Sequence, residues 1–230
     1  MEKELTKKEQ NEVIEHDPNV LGACDEISGS DLSIGRIGIM QPGSEMVKED
    51  KARQGAIVDT ETEEELGYKS EKPLEFFIFK TARFWVEYKG EEFLRRIPAQ
   101  HQNELPWQDG EIRRMYTHSF YIVLKKDIEE GLLMPYELSF RSTELKVARR
   151  LSKMLFLLRQ QKQPSWKRCF KLTTELKKKG SYSWYGSKIS LGDDATQDEM
   201  NAAYTLYKQM DSVVTVNHTG DEETAKESDY

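Results

Sequence analysis

The sequence predicts a mainly β, α+β domain: a small barrel with two appended helices, set between disordered acidic ends. Three observations predict it. Short aromatic and β-branched runs recur between residues 32 and 140, as many-stranded folds require. Two later segments carry apolar side chains at helical spacing. The first 31 residues hold nine acids, three lysines and no aromatic side chain. Such a segment buries too little apolar surface to offset the entropy of ordering it. Residues 217–230 are similar, so the domain is expected over residues 32–216, which is enough chain for one core.

Each element follows from local pattern. Residues 32–41, LSIGRIGIMQ, alternate and read as a strand that Pro42-Gly43 ends. Residues 44–52 read as a helical turn or loop, 55–59 as a short strand and 60–67 as an acidic turn. Residues 74–88, LEFFIFKTARFWVEY, form one long strand or two with a bend at Lys80-Thr81. Residues 90–110 contain Pro98, Pro106 and Gly110 and read as an extended loop. Residues 112–125 are a strand, 127–131 a turn and 136–140 a strand. Ser142 or Thr143 then caps a helix to about residue 161, with Leu145, Ala148, Leu151, Leu155 and Leu158 on its apolar face. Residues 166–176 and 182–190 form a hairpin around Lys177-Lys178-Lys179-Gly180. Thr196 opens a second helix to about residue 211, and Thr196 with Glu199 matches a capping box. The count is roughly seven strands, a helix, two strands and a closing helix.

Several function classes find no support. The cysteines, Cys24 and Cys169, form no CxxC or Cys/His cluster, which fits a reducing cytoplasm without disulfide or structural zinc. The charged N-terminus lacks the apolar core of a signal peptide, and apolar runs are far too short to cross a membrane. No GxSxG, HExxH, P-loop or dinucleotide fingerprint is present. His118 lies in a strand, where a structural role is the commoner one. Asp59 after one strand and Glu75 in the next suggest a metal-nuclease arrangement, but Phe77 stands where the Glu-x-Lys pattern needs lysine. No catalytic residue, metal or cofactor is therefore assigned.

The distribution of charge is more informative. The chain carries a net charge of -7, yet residues 141–180 hold thirteen Lys/Arg against Glu144 and Glu175. Single-stranded nucleic acid is bound by cations that follow the phosphates and by aromatic faces that stack on bases. Both residue types interleave at Arg83, Trp85 and Tyr88; at Arg113, Arg114 and Tyr116; at Trp166, Lys167, Arg168 and Lys171; and at Tyr182 and Trp184. Lys146, Arg149, Arg150 and Lys153 add a basic stripe along the first long helix. Taken singly, a strand aromatic is more often core and a lysine more often a solvated surface charge. Strand alternation puts Trp85 with Arg83 and Glu87, opposite Phe84 and Val86. It puts Trp166 with Arg168 and Phe170, and Tyr182 with Trp184, opposite Tyr185.

The C-terminal segment is acidic and ends in an aromatic: Asp221, Glu222, Glu223, Glu227, Asp229 and Tyr230, interrupted by Lys226. In this tail the chain resembles the single-stranded DNA-binding proteins of short-tailed bacteriophages. Length and acidic net charge around a basic aromatic body add to the likeness, while the segments Ile39-Met40-Gln41-Pro42, 55–59 with Leu66-Gly67, and Leu138-Ser139-Phe140 resemble phage proteins of uncertain annotation. The resemblance implies an OB-fold-like barrel, with a possible homodimer, that coats single strands during phage replication and recombination in the host cytoplasm. It implies a tail that recruits polymerase and helicase/primase partners; read by itself, such an acidic end either competes for the basic groove until nucleic acid displaces it or simply solubilises the terminus. The alternatives are a phage structural or assembly protein and a degenerate metal-dependent nuclease.

Overall fold

The computed structural model describes residues 34–99 and 106–223, with side chains through residue 210. The expected N-terminal arm, residues 1–31, lies outside the described residues. The fold is mixed α+β, a single ten-stranded sheet curled strongly into a half-barrel, with a few helices.

The elements in chain order are β1 (Gly35–Ile39), α1 (Glu45–Lys48), β2 (Ala56–Asp59), β3 (Glu65–Tyr68), β4 (Leu74–Lys89), β5 (Glu92–Pro98), β6 (Gln108–Asp109), β7 (Ile112–Leu124), α2 (Lys125–Glu129), β8 (Pro135–Arg141), α3 (Leu145–Gln160), β9 (Arg168–Lys179), β10 (Tyr182–Asp194) and α4 (Gln197–Glu223). The order across the sheet is β10-β9-β4-β7-β8-β1-β2-β3, with β5 on the far part of β4 and β6 on β7. The β1–β8 pair is parallel; the other pairs are antiparallel.

β4 is one strand, and the expected bend is a bulge between Ile78 and Lys80. A bulge adds a residue on one strand and increases local twist, which helps the sheet curl. Alternation then splits the side chains into two layers. Phe76, Ile78, Phe120, Ile122, Phe140, Phe170 and Leu172 fill the concave side, against Ala148, Leu151 and Leu158 of α3. Phe77, Phe79, Tyr121, Val123 and Cys169 face the convex side, which Ala203, Leu206 and Met210 of α4 cover.

The curl brings the two ends of the sheet together, and side chains seal the seam. The Gln41 amide donates to the Tyr185 carbonyl and accepts from the Tyr185 N–H, both at 2.9 Å. Glu144 accepts from the Ser187 N–H at 2.8 Å, and the Thr174 hydroxyl donates to the Gly55 carbonyl at 2.5 Å. The outer edge of β10 is thereby partly satisfied without a neighbouring strand, one way to blunt a reactive sheet edge.

Several expectations are corrected. The loop expected over residues 90–110 contains β5 and β6. The acidic turn over 60–67 contains the start of β3, and the turn over 127–131 is the end of α2 and its exit. Neither Ser142 nor Thr143 caps α3 with its side chain; Ser142–Glu144 form a 3-10 turn that leads into the helix. The capping box on α4 is formed: Glu199 accepts from the Thr196 N–H at 2.7 Å, and the Thr196 hydroxyl accepts from the Glu199 N–H at 3.3 Å. α4 continues to Glu223, past the expected end near residue 211. Asp221, Glu222 and Glu223 thus belong to its last turn, while Glu227, Asp229 and Tyr230 lie outside the described residues.

Candidate nucleic-acid interface

Beyond the barrel body, β4 and β7 run on together as an arm, flanked by β5 and β6. Pairing is unbroken from Thr81 to Lys89, so Trp85 does share a face with Arg83 and Glu87, as alternation predicts. Their cross-strand partners are Tyr116, His118 and Arg114. His118 stacks on Phe120 at 4.4 Å, which identifies this as the concave side. Trp85 and Tyr116 are half-buried and meet edge to face at 5.6 Å. The Trp85 indole N–H is buried without an acceptor among the described residues. Arg83 is exposed. Burial, with the Arg83 charge adding to it, lowers the His118 pKa to about 4, so the ring is neutral at physiological pH.

Arg114 is not a surface cation. Its Nε donates to Glu87 at 2.6 Å and its Nη1 to the Pro106 carbonyl at 2.9 Å, and both ion-pair members are buried. Arg95 of β5 donates to the other Glu87 oxygen at 2.7 Å. Burial pushes the Glu87 carboxyl up, but the hydrogen bonds from Arg95 and Arg114 outweigh it and hold it below the ordinary value. On the opposite face Arg96 reaches Glu137 at 3.1 Å, and Ser119 and Ser139 donate to the same carboxylate. The upward push of burial is overcome by the Arg96 charge and by these bonds, and the Glu137 pKa is lowered. A loop over residues 90–110 gives neither arginine a defined place. No unbroken alternation reveals them, because a bulge between Arg95 and Phe93 turns Phe93 to the Tyr88 side, opposite Arg95.

The basic segment of residues 141–180 divides on folding. Lys167 and Arg168 pair with Asp194 at 3.7 and 2.8 Å, Lys171 with Glu75, and Lys177 with Glu144 at 3.2 Å. Trp166 is not in a strand. It occupies the 3-10 turn Ser165–Lys167 and packs on Tyr204 and Tyr207 of α4, ring centroids 6.1 and 5.5 Å apart. That places it with Cys169 on the convex side rather than with Phe170, because the turn breaks the alternation. Tyr88 and Arg113 also face away from Trp85: Arg113 lies over the Tyr88 ring, whose hydroxyl accepts from Arg141 at 2.9 Å. Tyr182 is 77 % exposed at the hairpin turn and Trp184 is half-buried.

Lys146, Arg149, Arg150 and Lys153 are different. All four are exposed, and none makes an ion pair or hydrogen bond among the described residues. They project from α3, whose opposite side carries Ala148 and Leu151 into the concave core. The structure therefore brings this stripe to the same side of the sheet as Arg83, Trp85 and Tyr116. It does not bring Tyr88, Arg113, Trp166 or Lys171 there.

The nuclease-like carboxylates have separate partners. Asp59 accepts from the Arg36 and Glu61 N–H groups and from the Thr62 hydroxyl, whereas Glu75 pairs with Lys171 and Lys125. Among the described residues no group of three or more His, Cys, Asp or Glu could hold a metal ion. No described helix is long and apolar enough to cross a membrane.

Residues 8–215 match the family model described as Pam3 phage gp34-like protein. The chain belongs to this family. It is accordingly a bacteriophage protein, and the match spans every element from β1 into α4. No curated protein and no solved structure matches it.

Proposed function

We propose that this Pam3 gp34-like protein is a non-catalytic single-stranded DNA-binding protein. It would coat strands without strong sequence preference during phage replication or recombination in the host cytoplasm. The observation that carries the reading is the set of four cations on α3 that are unpaired among the described residues, on the side that also presents Arg83, Trp85 and Tyr116. Neutralising phosphates with such cations releases counterions, and each stacked base adds about 1–3 kcal/mol. The OB-like part of the reading is supported by the curl of the sheet and its side-chain seam. The acidic residues from Asp221 onward would compete for the groove or recruit replication partners.

Gel shifts of a 30-nucleotide dT strand and of a duplex of equal length test the proposal. Preferential binding of the single strand, weakening steeply with salt and quenching tryptophan fluorescence, is the expected result. Equal affinity for the duplex, or no shift, overturns it. One observation favours a second reading, a phage assembly protein. The arm exposes Phe93 (53 %), Leu94 (40 %) and Trp107 (65 %), side chains usual in protein contacts. A large homo-oligomer in gel filtration with no shift of the strand would support that reading.

A further inference from the structure

We propose that the cavity between β3 and β10 is a binding site for a nucleoside monophosphate, either free or as the phosphorylated end of a strand. The site is separate from the α3 stripe and does not depend on strand coating. Its volume is about 540 Å³, within the usual range of small-molecule sites, roughly 300–1,000 Å³. Curling of the sheet supplies aromatic side chains from both of its ends: Tyr68 closes β3, and Tyr185 comes from β10.

The cations lining the cavity are not equivalent. Arg53 stacks 3.7 Å from the Tyr68 centroid and is paired with Glu65; Lys51 is paired with Glu49 and Glu63. Lys69 has no carboxylate partner among the described residues. Its ammonium lies 4.5 Å from the Tyr68 centroid and 5.5 Å from that of Tyr185. A hydrogen bond to the Tyr68 hydroxyl raises its pKa above the ordinary lysine value, so it is cationic at any working pH. Its backbone holds φ at +45°, a conformation uncommon for a side-chain-bearing residue.

The Tyr185 wall is also fixed before any ligand arrives. Gln41 holds its backbone on both sides. Its ring lies against Gly55, where φ is +81° and a Cβ would fall 2.5 Å from the ring. Two tyrosine rings, that of Tyr68 already bearing Arg53, and one ammonium without a carboxylate partner suit a flat base that carries a single phosphate; the Asp50 carboxylate in the same lining leaves little surplus positive charge. One such cation argues against a di- or triphosphate, whose charge calls for further cations or a metal.

Calorimetric titration of the full chain with dTMP, thymidine and inorganic phosphate tests the inference. The expected result is that dTMP binds at least tenfold more tightly than either fragment, and that Lys69→Gln removes the difference. Amide chemical shifts of the unmodified protein give a readout independent of any variant: dTMP should perturb residues 51–54, 65–69 and 185. No dTMP binding at millimolar concentration, shifts confined to α3, or unchanged affinity in Lys69→Gln each overturns it. Competition by 12-nucleotide dT strands identifies the source. Displacement of dTMP only by the 5′-phosphorylated strand assigns the site to strand ends. No displacement by either strand assigns it to free nucleotide, and equal displacement by the 5′-hydroxyl strand overturns the proposal. Binding of the 30-nucleotide strand, measured in parallel, separates the two proposals. A strand that binds while dTMP does not refutes only the cavity, and the converse refutes only strand coating.

Discussion

Replacing Glu87 with leucine should destabilise the protein far more than truncating Arg95, its exposed partner. The Glu87 side chain is 2 % exposed and that of Arg114 is 6 % exposed, with 2.6 Å between their bonded atoms. Removing one member of a buried ion pair strands the other charge in a poorly solvated site, at a cost of about 3–5 kcal/mol. The Arg95 side chain is 63 % exposed, so its bond to Glu87 is worth no more than about 1 kcal/mol. Urea unfolding followed by circular dichroism measures the difference. With a slope of about 2 kcal/mol per molar, Glu87→Leu should lower the midpoint by about 1.5–2.5 M and Arg95→Ala by less than about 0.5 M. The double variant Glu87→Leu/Arg114→Met, which leaves no buried charge, should recover most of the loss. A loss below about 1 kcal/mol for Glu87→Leu would refute the reasoning. So would a double variant as unstable as the sum of its parts, because the stranded charge would then not be the cause.

His118 has a folded pKa of about 4 against an unfolded value of about 6.5. Its depressed value contributes stability above pH ~6.5 that is lost as pH falls toward 4, on the order of 3 kcal/mol in all. His118→Gln should flatten melting temperature against pH across that interval. Glu87 and Glu137 also have depressed values; their contribution is present above the unfolded glutamate value, ~4.3, and is lost below it, so its slope should survive in His118→Gln. Changing Lys146, Arg149, Arg150 and Lys153 together to glutamine should leave the melting temperature nearly unchanged. It should lower the salt slope of single-strand binding by about 0.7 for each phosphate that is no longer neutralised. Thr196→Ala removes one arm of the α4 capping box and should cost about 1 kcal/mol in chemical denaturation. Leu151→Ala, at a fully buried position between α3 and the concave face, should cost about 2–5 kcal/mol by the same measurement.

Long periodic segments are the most legible in the sequence. The apolar stripe of α3 and the alternation in β4 and β7 each encode one buried face locally, so the helix, the strands and the shared face of Trp85 and Arg83 can be read. β5 cannot, because Pro98 and the surrounding polar residues suggest a loop. Its strand state depends on pairing with β4 and on burying Glu87 and Glu137 beneath Arg95 and Arg96. The basic character of residues 141–180 is visible, but its division is not. Which lysines meet Asp194, Glu75 or Glu144 is decided by contacts between segments distant in sequence. Trp166 escapes the alternation rule because a single 3-10 turn shifts its side chain to the other layer. The Tyr68–Lys69–Tyr185 cavity combines two ends of a curled sheet, and no local pattern encodes that meeting.

The parallel pairing of β1 with β8 sets an order of events during synthesis. Among the described residues β1 has only β2 and β8 as sheet neighbours, and the chain reaches Arg141 long after it has completed Tyr68. At roughly 5–20 residues per second, the β1–β2–β3 unit waits roughly 4–15 s for the strand that docks it. Throughout that interval one flank of β1 stays open to the wrong strand. Nascent copies emerging side by side on one message would therefore be most prone to exchange strands at β1.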